Sequence, residues 1–198
     1  MKRTVIFVIT LLSLLAASAT AQQAVTVEGF VRMEGEIPEN SRVGVHVIDL
    51  DGNTLGELTS TGLVAGTFSM TAPQAAVEPL APLRDGAVPL PGLQSEYRVS
   101  PEGVNYARAV TKVYIDNDGS GAYTPGTDAG FVSIATLESG GFYVLLYVDR
   151  DATLTGRGAT VELRQGWNVF TVQPGDEGEL RYAAVSRVDD IVLDTFRP

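Results

Sequence analysis

Apolar and polar positions alternate along most of the chain after residue 23, as in AVTVEGFVRM at 24–33. A period of two is typical of strands that bury one face, and β-branched residues are frequent in these runs. The pattern predicts strands at 24–33, 43–50, 54–59, 63–71, 104–115, 130–138, 141–149, 159–164, 167–173, 179–185 and 190–196. No window in this part has the apolar spacing and end signals of an amphipathic helix. The predicted fold class is therefore all-β.

Short turn sequences separate these predicted strands. Asp51-Gly52-Asn53 suits a tight hairpin, because glycine and asparagine accept the positive φ that such turns require. Gly140-Gly141 and Gln165-Gly166 separate later strands in the same way. Many short strands joined by close turns favour an antiparallel β-sandwich.

The segment 72–92 interrupts this rhythm with five prolines, Pro73, Pro79, Pro82, Pro89 and Pro91. Proline lacks the backbone donor and fixes φ, so we expect the segment to lie outside the sheet ladders. It is either a linker between two domains or a long connection within one. Only about four strands precede it, roughly half a sandwich, which favours a single domain over 22–198. The residues that would anchor the connection on a sheet are Val77, Leu80, Leu83, Val88 and Leu90.

The N-terminus begins with Lys2 and Arg3, continues with an apolar run over 4–17, and reaches the small-x-small sequence Ala19-Thr20-Ala21. This order is typical of a cleaved signal peptide, here residues 1–21. The alternative is an uncleaved membrane anchor, but the run is short of the ~20 residues that cross a bilayer. We expect a mature chain without membrane insertion, located in the cell envelope (periplasm or cell surface) or secreted.

The chain is acidic and has no cysteine. Loss of Lys2 and Arg3 would move the formal net charge from −10 to −12. Such a charge disfavours binding to nucleic acid, whose phosphates it would repel, and favours attraction of cations. Without disulfides, the fold must depend on its core, or on a core and a metal ion.

A candidate cation loop follows the predicted strand 104–115 and reads D-N-D-G-S-G-A-Y-T-P-G-T-D over 116–128. Calcium prefers six to eight oxygen ligands from a tightly curled backbone, with a glycine at the sixth loop position. Gly121 occupies that position. The predicted calcium ligands are Asp116, Asp118, Ser120, the backbone carbonyl of Ala122, and Asp128.

Two positions of this loop need separate comment. The twelfth position, which is a bidentate glutamate in calcium loops of the EF-hand type, holds Thr127, and Asp128 comes one residue late. A bend at Pro125-Gly126 would bring Asp128 back to the ion. Tyr123 falls where an apolar side chain packs inward. The alternative is an ordinary hairpin turn at Asp118-Gly119 with solvated acidic side chains.

The motifs also carry a resemblance. The order V-x-V-x-G-x-V from Val25, then V-x-V-x-V-I-D-L-D-G-N-T and G-T-F-S-M, resembles carboxypeptidase-regulatory-like or prealbumin-like sandwiches. The sequence V-Y-I-D-N-D-G-S-G-A-Y-T-P-G-T-D resembles the calcium loops of bacterial surface B-type repeat domains. The resemblance implies an Ig-like or prealbumin-like sandwich that serves as a non-enzymatic module of a bacterial surface.

Catalytic patterns are scarce. His46 is the only histidine, and it lies in an alternating run without any nucleophile motif near it. We interpret it as a half-exposed strand residue and expect no enzymatic activity. The expected function is a secreted or envelope module that binds other surface proteins. The alternative is a carbohydrate-binding module, in which Trp167 and Tyr123 would offer flat rings to a polysaccharide.

Overall fold

A computed structural model describes residues 24–85, 90, 97–156, 159–175 and 179–196. The predicted signal peptide at 1–21 lies outside the described residues. Every regular element in the described part is a strand, which confirms the all-β fold class. The strands are β1 (Val25–Met33), β2 (Ser41–Ile48), β3 (Thr54–Gly62), β4 (Thr67–Ala72), β5 (Ala81–Pro82), β6 (Arg98–Ser100), β7 (Asn105–Ile115), β8 (Ala129–Gly130), β9 (Val132–Leu137), β10 (Phe142–Val148), β11 (Ala152–Gly156), β12 (Ala159–Leu163), β13 (Gly166–Pro174), β14 (Leu180–Val185) and β15 (Arg187–Phe196).

Two large sheets form the sandwich. The first has the strand order β4-β1-β15-β9, and the second has the order β14-β13-β10-β7-β2-β3, with β5 and β8 also paired to β7. The pairs are antiparallel, as predicted, except that β1 and β15 run parallel. The first and last long strands of the described chain therefore lie side by side in the middle of the first sheet.

The main core lies between these two sheets. In β2, the alternating residues Val43, Val45 and Val47 are all at most 4% exposed and belong to this core. β10 and β13 contribute alternate residues to it in the same manner. Because side chains alternate along a strand, Gly44 and His46 point to the opposite face of the second sheet.

A third, smaller sheet covers part of that opposite face. It has the order β12-β11-β6 and closes a second hydrophobic cluster. In β10, Leu145 and Tyr147 belong to the main core, whereas Leu146 and Val148 belong to the second cluster. The strands of the second sheet are thus buried on both faces at this end, and β6 and β11 are strands that the sequence pattern did not predict.

The proline-rich connection packs against the sheets, as far as it is described. Val77, Leu83 and Leu90 are buried and Leu80 is partly buried, as predicted, while Val88 lies outside the described residues. The connection also contributes β5, which pairs with β7 beyond the end of β2, so the expectation that it makes no ladder was wrong. Among the described residues, no helix is long and apolar enough to cross a membrane.

Candidate metal centre

The loop 116–128 is fixed to the second sheet at both ends. It leaves β7 at Asp116 and returns at Asp128 into β8, which pairs with the end of β7. At the first end, the backbone N–H of Asp116 donates to the carbonyl oxygen of Asn40 (3.1 Å), and the Asn40 amide donates to the Asp116 carbonyl (3.0 Å). The loop therefore leaves the second sheet and returns to it at the same place, so that Asp116 and Asp128 at its two ends lie side by side.

Three carboxylates converge in this loop. One carboxylate oxygen from each of Asp116, Asp118 and Asp128 lies within 4.8 Å of the other two. Asp116 and Asp128 are each 8% exposed, and Asp118 is exposed. The predicted return of Asp128 to the two earlier aspartates is thus present in the structure, and the three could hold a metal ion.

Backbone donors curl the loop around two of these carboxylates. Asp116 accepts hydrogen bonds from the N–H groups of Ser120 (3.1 Å) and Gly121 (2.9 Å). Asp128 accepts from the N–H groups of Asn117 (2.9 Å) and Thr124 (2.7 Å). A carboxylate has about four lone-pair sites, so each group keeps acceptor capacity for a cation.

Glycine is required at the turns of this loop. Gly119, Gly121 and Gly126 have φ values of 69°, 78° and 80°, a region that residues with a Cβ rarely adopt. The bend at Gly126 is the one that returns Asp128 to the cluster. Asp118 also accepts the Ser120 N–H (2.9 Å), as a simple turn would, but the two buried aspartates make the loop more than a hairpin.

The two remaining predicted ligands contact each other. The Ser120 hydroxyl donates to the carbonyl oxygen of Ala122 at 2.8 Å. Both oxygens lie on the same curled segment as Asp118. Their roles as ligands stay predictions, because the converging cluster in the structure consists of the three aspartates.

The electrostatics of the cluster favour a cation. Across the described ranges, none of the three aspartates forms an ion pair with arginine or lysine. Hydrogen bonds from the Ser120 side chain and backbone hold the pKa of Asp118 below its usual range, so this carboxyl stays ionised at neutral pH. Like charges this close repel each other, and a bound divalent ion would offset that repulsion.

Tyr123 packs inward, as predicted. Its ring meets His46 at a centroid distance of 5.2 Å and Tyr114 at 5.3 Å, in both cases edge-on. His46 is 1% exposed, so its interpretation as a half-exposed strand residue was wrong. The reason is that the loop covers this end of the second sheet, which a local strand pattern does not reveal.

Trp167 occupies the main core and is 5% exposed. Its ring packs against Tyr147 at a centroid distance of 5.6 Å. A sugar platform requires an exposed ring face, so Trp167 does not offer one in this structure. Tyr123, the other residue of the carbohydrate hypothesis, is engaged by its two aromatic neighbours.

The chain matches no protein-family model, and no curated protein or solved structure is significantly similar to it. The resemblance to prealbumin-like sandwiches and B-type repeat domains therefore stays a prediction.

Proposed function

We propose that this protein is a secreted, non-catalytic β-sandwich module of the cell envelope or extracellular space, stabilised by one Ca²⁺ ion. The observation that carries the proposal is the convergence of Asp116, Asp118 and Asp128 within 4.8 Å, two of them nearly buried. All the candidate ligands are oxygen atoms, which suits calcium rather than zinc or copper.

The proposed role of the ion is structural. The loop joins β7, in the middle of the second sheet, to β8 and then to β9 at the edge of the first. An ion that binds only the folded loop would stabilise the native state by mass action. Extracellular calcium modules have dissociation constants of about 10⁻⁴–10⁻³ M, so 10 mM calcium would contribute about 1.4–2.7 kcal/mol.

The test is thermal unfolding of the exported protein in excess chelator, in 10 mM calcium and in 10 mM magnesium. A stabilisation of this size should raise the Tm by about 3–10 °C in calcium, for a domain of this length. Asp118→Asn removes one negative charge from the cluster and should reduce the calcium-dependent shift, while it preserves the shape of the side chain. Asp51→Asn is the matched control, because Asp51 lies exposed in a different turn. Equal melting temperatures in all three buffers would refute the calcium proposal.

We further propose that the module acts through contacts with envelope or surface proteins. The edge strand β9 and its neighbour β15 expose the apolar residues Val132, Ile134 and Phe196, each more than half exposed. Exposed strand edges accept added strands from partners. A photo-crosslinking residue at position 132 should capture a defined envelope protein in living cells, whereas one at exposed Glu102 should not. Equal capture at both positions would argue against a specific edge contact.

A further inference from the structure

A buried polar cluster lies under the calcium loop, on the outer face of the second sheet. His46 and Tyr114 are each 1% exposed. Across the described residues, neither imidazole nitrogen of His46 has a hydrogen-bond partner. Buried polar atoms without partners are rare and costly, so such a group calls for a specific explanation.

Gly44, two residues before His46 on β2, leaves space for this cluster because it has no side chain. The His46 Nε2 and Glu57 Oε2 atoms lie 3.7 Å apart. A Cβ at Gly44 would come within 2.6 Å of both atoms. Glycine at this position therefore allows the imidazole and the carboxylate to approach each other over the backbone of β2.

The calcium loop is the lid of this cluster. Tyr123 covers the His46 ring edge-on, and the Ser60 hydroxyl of β3 donates to the carbonyl oxygen of Gly121 at 3.1 Å. The docked loop thus contributes to the burial of His46. The same segment would curl around the ion. One loop would therefore both bind the metal and bury the imidazole.

The charged groups around His46 are mixed. Glu57 of β3 faces the His46 ring. Lys112 and the titratable Tyr114 lie on β7, which pairs with β2. Arg42 lies on β2 itself, four residues before His46. Burial and, second, the positive charge of Lys112 lower the pKa of His46 to about 4. The docked loop therefore requires a neutral imidazole at physiological pH.

We propose that His46 is a proton-binding site linked to the calcium loop, so that protonation of His46 and binding of calcium oppose each other. The inference rests on the proposed calcium function. With the loop docked, the imidazole is dry and stays neutral. With the loop lifted, it meets water and titrates near the ordinary histidine value of about 6.5.

The sign of the effect follows from linkage. The pKa of His46 is lower in the docked state, so docking is unopposed above pH ~6.5 and loses stability as the pH falls toward 4. Calcium binds the docked loop, and its affinity should fall over the same interval. If docking and binding are fully coupled, the affinity at pH 5.0 is about 30-fold weaker than at pH 7.5.

The experiment uses the exported protein without a histidine tag. His46 is the only histidine, so its imidazole protons give a single set of NMR signals to titrate. The titration is run in calcium and in chelator. In parallel, calcium affinity is measured at pH 7.5 and 5.0 for the wild type, for His46→Gln, and for Asp51→Asn as a control.

We expect the pKa of His46 to be markedly lower in calcium than in chelator. The His46→Gln variant should lose most of the pH dependence, whereas Asp51→Asn should keep it. Calcium binding with an unchanged His46 titration would overturn the linkage and leave the calcium function standing. Absence of calcium binding at pH 7.5 would overturn both. If His46→Gln does not fold, the wild-type titration alone decides the question.

Discussion

At the scale of single residues, Trp167 shows how little the local pattern reveals about the direction in which an aromatic side chain points. It starts an alternating strand after a turn glycine, a place where both a core ring and a surface ring occur. The register decides the matter: Trp167 is opposite Tyr147 of β10, and both belong to the main core. The ring therefore stabilises the sandwich instead of presenting a binding surface.

Trp167→Ala should lower the free energy of unfolding by about 3–5 kcal/mol, because it leaves a large cavity between the sheets. Val132→Ala, at an exposed position, should cost less than about 0.5 kcal/mol. Urea unfolding measures both. The fluorescence of Trp167 in the native protein should be blue-shifted and unchanged by polysaccharide. A red-shifted emission that responds to sugar would restore the carbohydrate hypothesis.

The cation loop was the most predictable part of the candidate site. Its ligands are close in sequence, so the alternation of Asp116 and Asp118 and the late position of Asp128 already specify a curled loop. His46 was not predictable in the same way. Its burial depends on Tyr123, which is distant in sequence, and only the pairing of β2 with β7 brings the two together.

At the scale of elements, the strands that the sequence predicted include long alternating runs, as in β1 and β7, and a continuous apolar run, as in β10. The strands it missed are short. β6 has three residues, and β11 reads ATLTG, where small and hydroxylated residues conceal the buried positions Ala152 and Leu154. The sequence pattern also could not predict the parallel pairing of β1 with β15, since pairing partners depend on the global arrangement of the chain.

The proline-rich connection illustrates the same division between local and global information. Its prolines correctly predicted a break in the regular ladders, and its apolar residues correctly predicted an anchor on the sheets. Yet β5 forms at Ala81–Pro82, because β2 ends at Ile48 and leaves the edge of β7 open beyond it. A proline is tolerated there, at the margin of a sheet.

At the scale of the whole molecule, two hydrophobic cores share the same strands. β10 and β13 send alternate residues into the main core and into the second cluster under the small sheet. Neither core can lose its packing without disturbing the backbone that supports the other. Because the two cores share strands, we expect the described layers to unfold together as one cooperative unit.

Leu154→Ala tests this cooperativity from the outer layer. Leu154 lies on β11, is fully buried in the second cluster, and is remote from the main core that contains Trp167. We expect the substitution to cost about 2–5 kcal/mol, as leucine truncations in cores do, and to shift the urea midpoints of Trp167 fluorescence and far-UV circular dichroism equally. Leu50→Ala, at a residue that is 68% exposed, is the control and should leave both midpoints in place. An early step in circular dichroism with an unchanged fluorescence midpoint would instead show that the small sheet unfolds on its own, and the shared strands would then not couple the two cores.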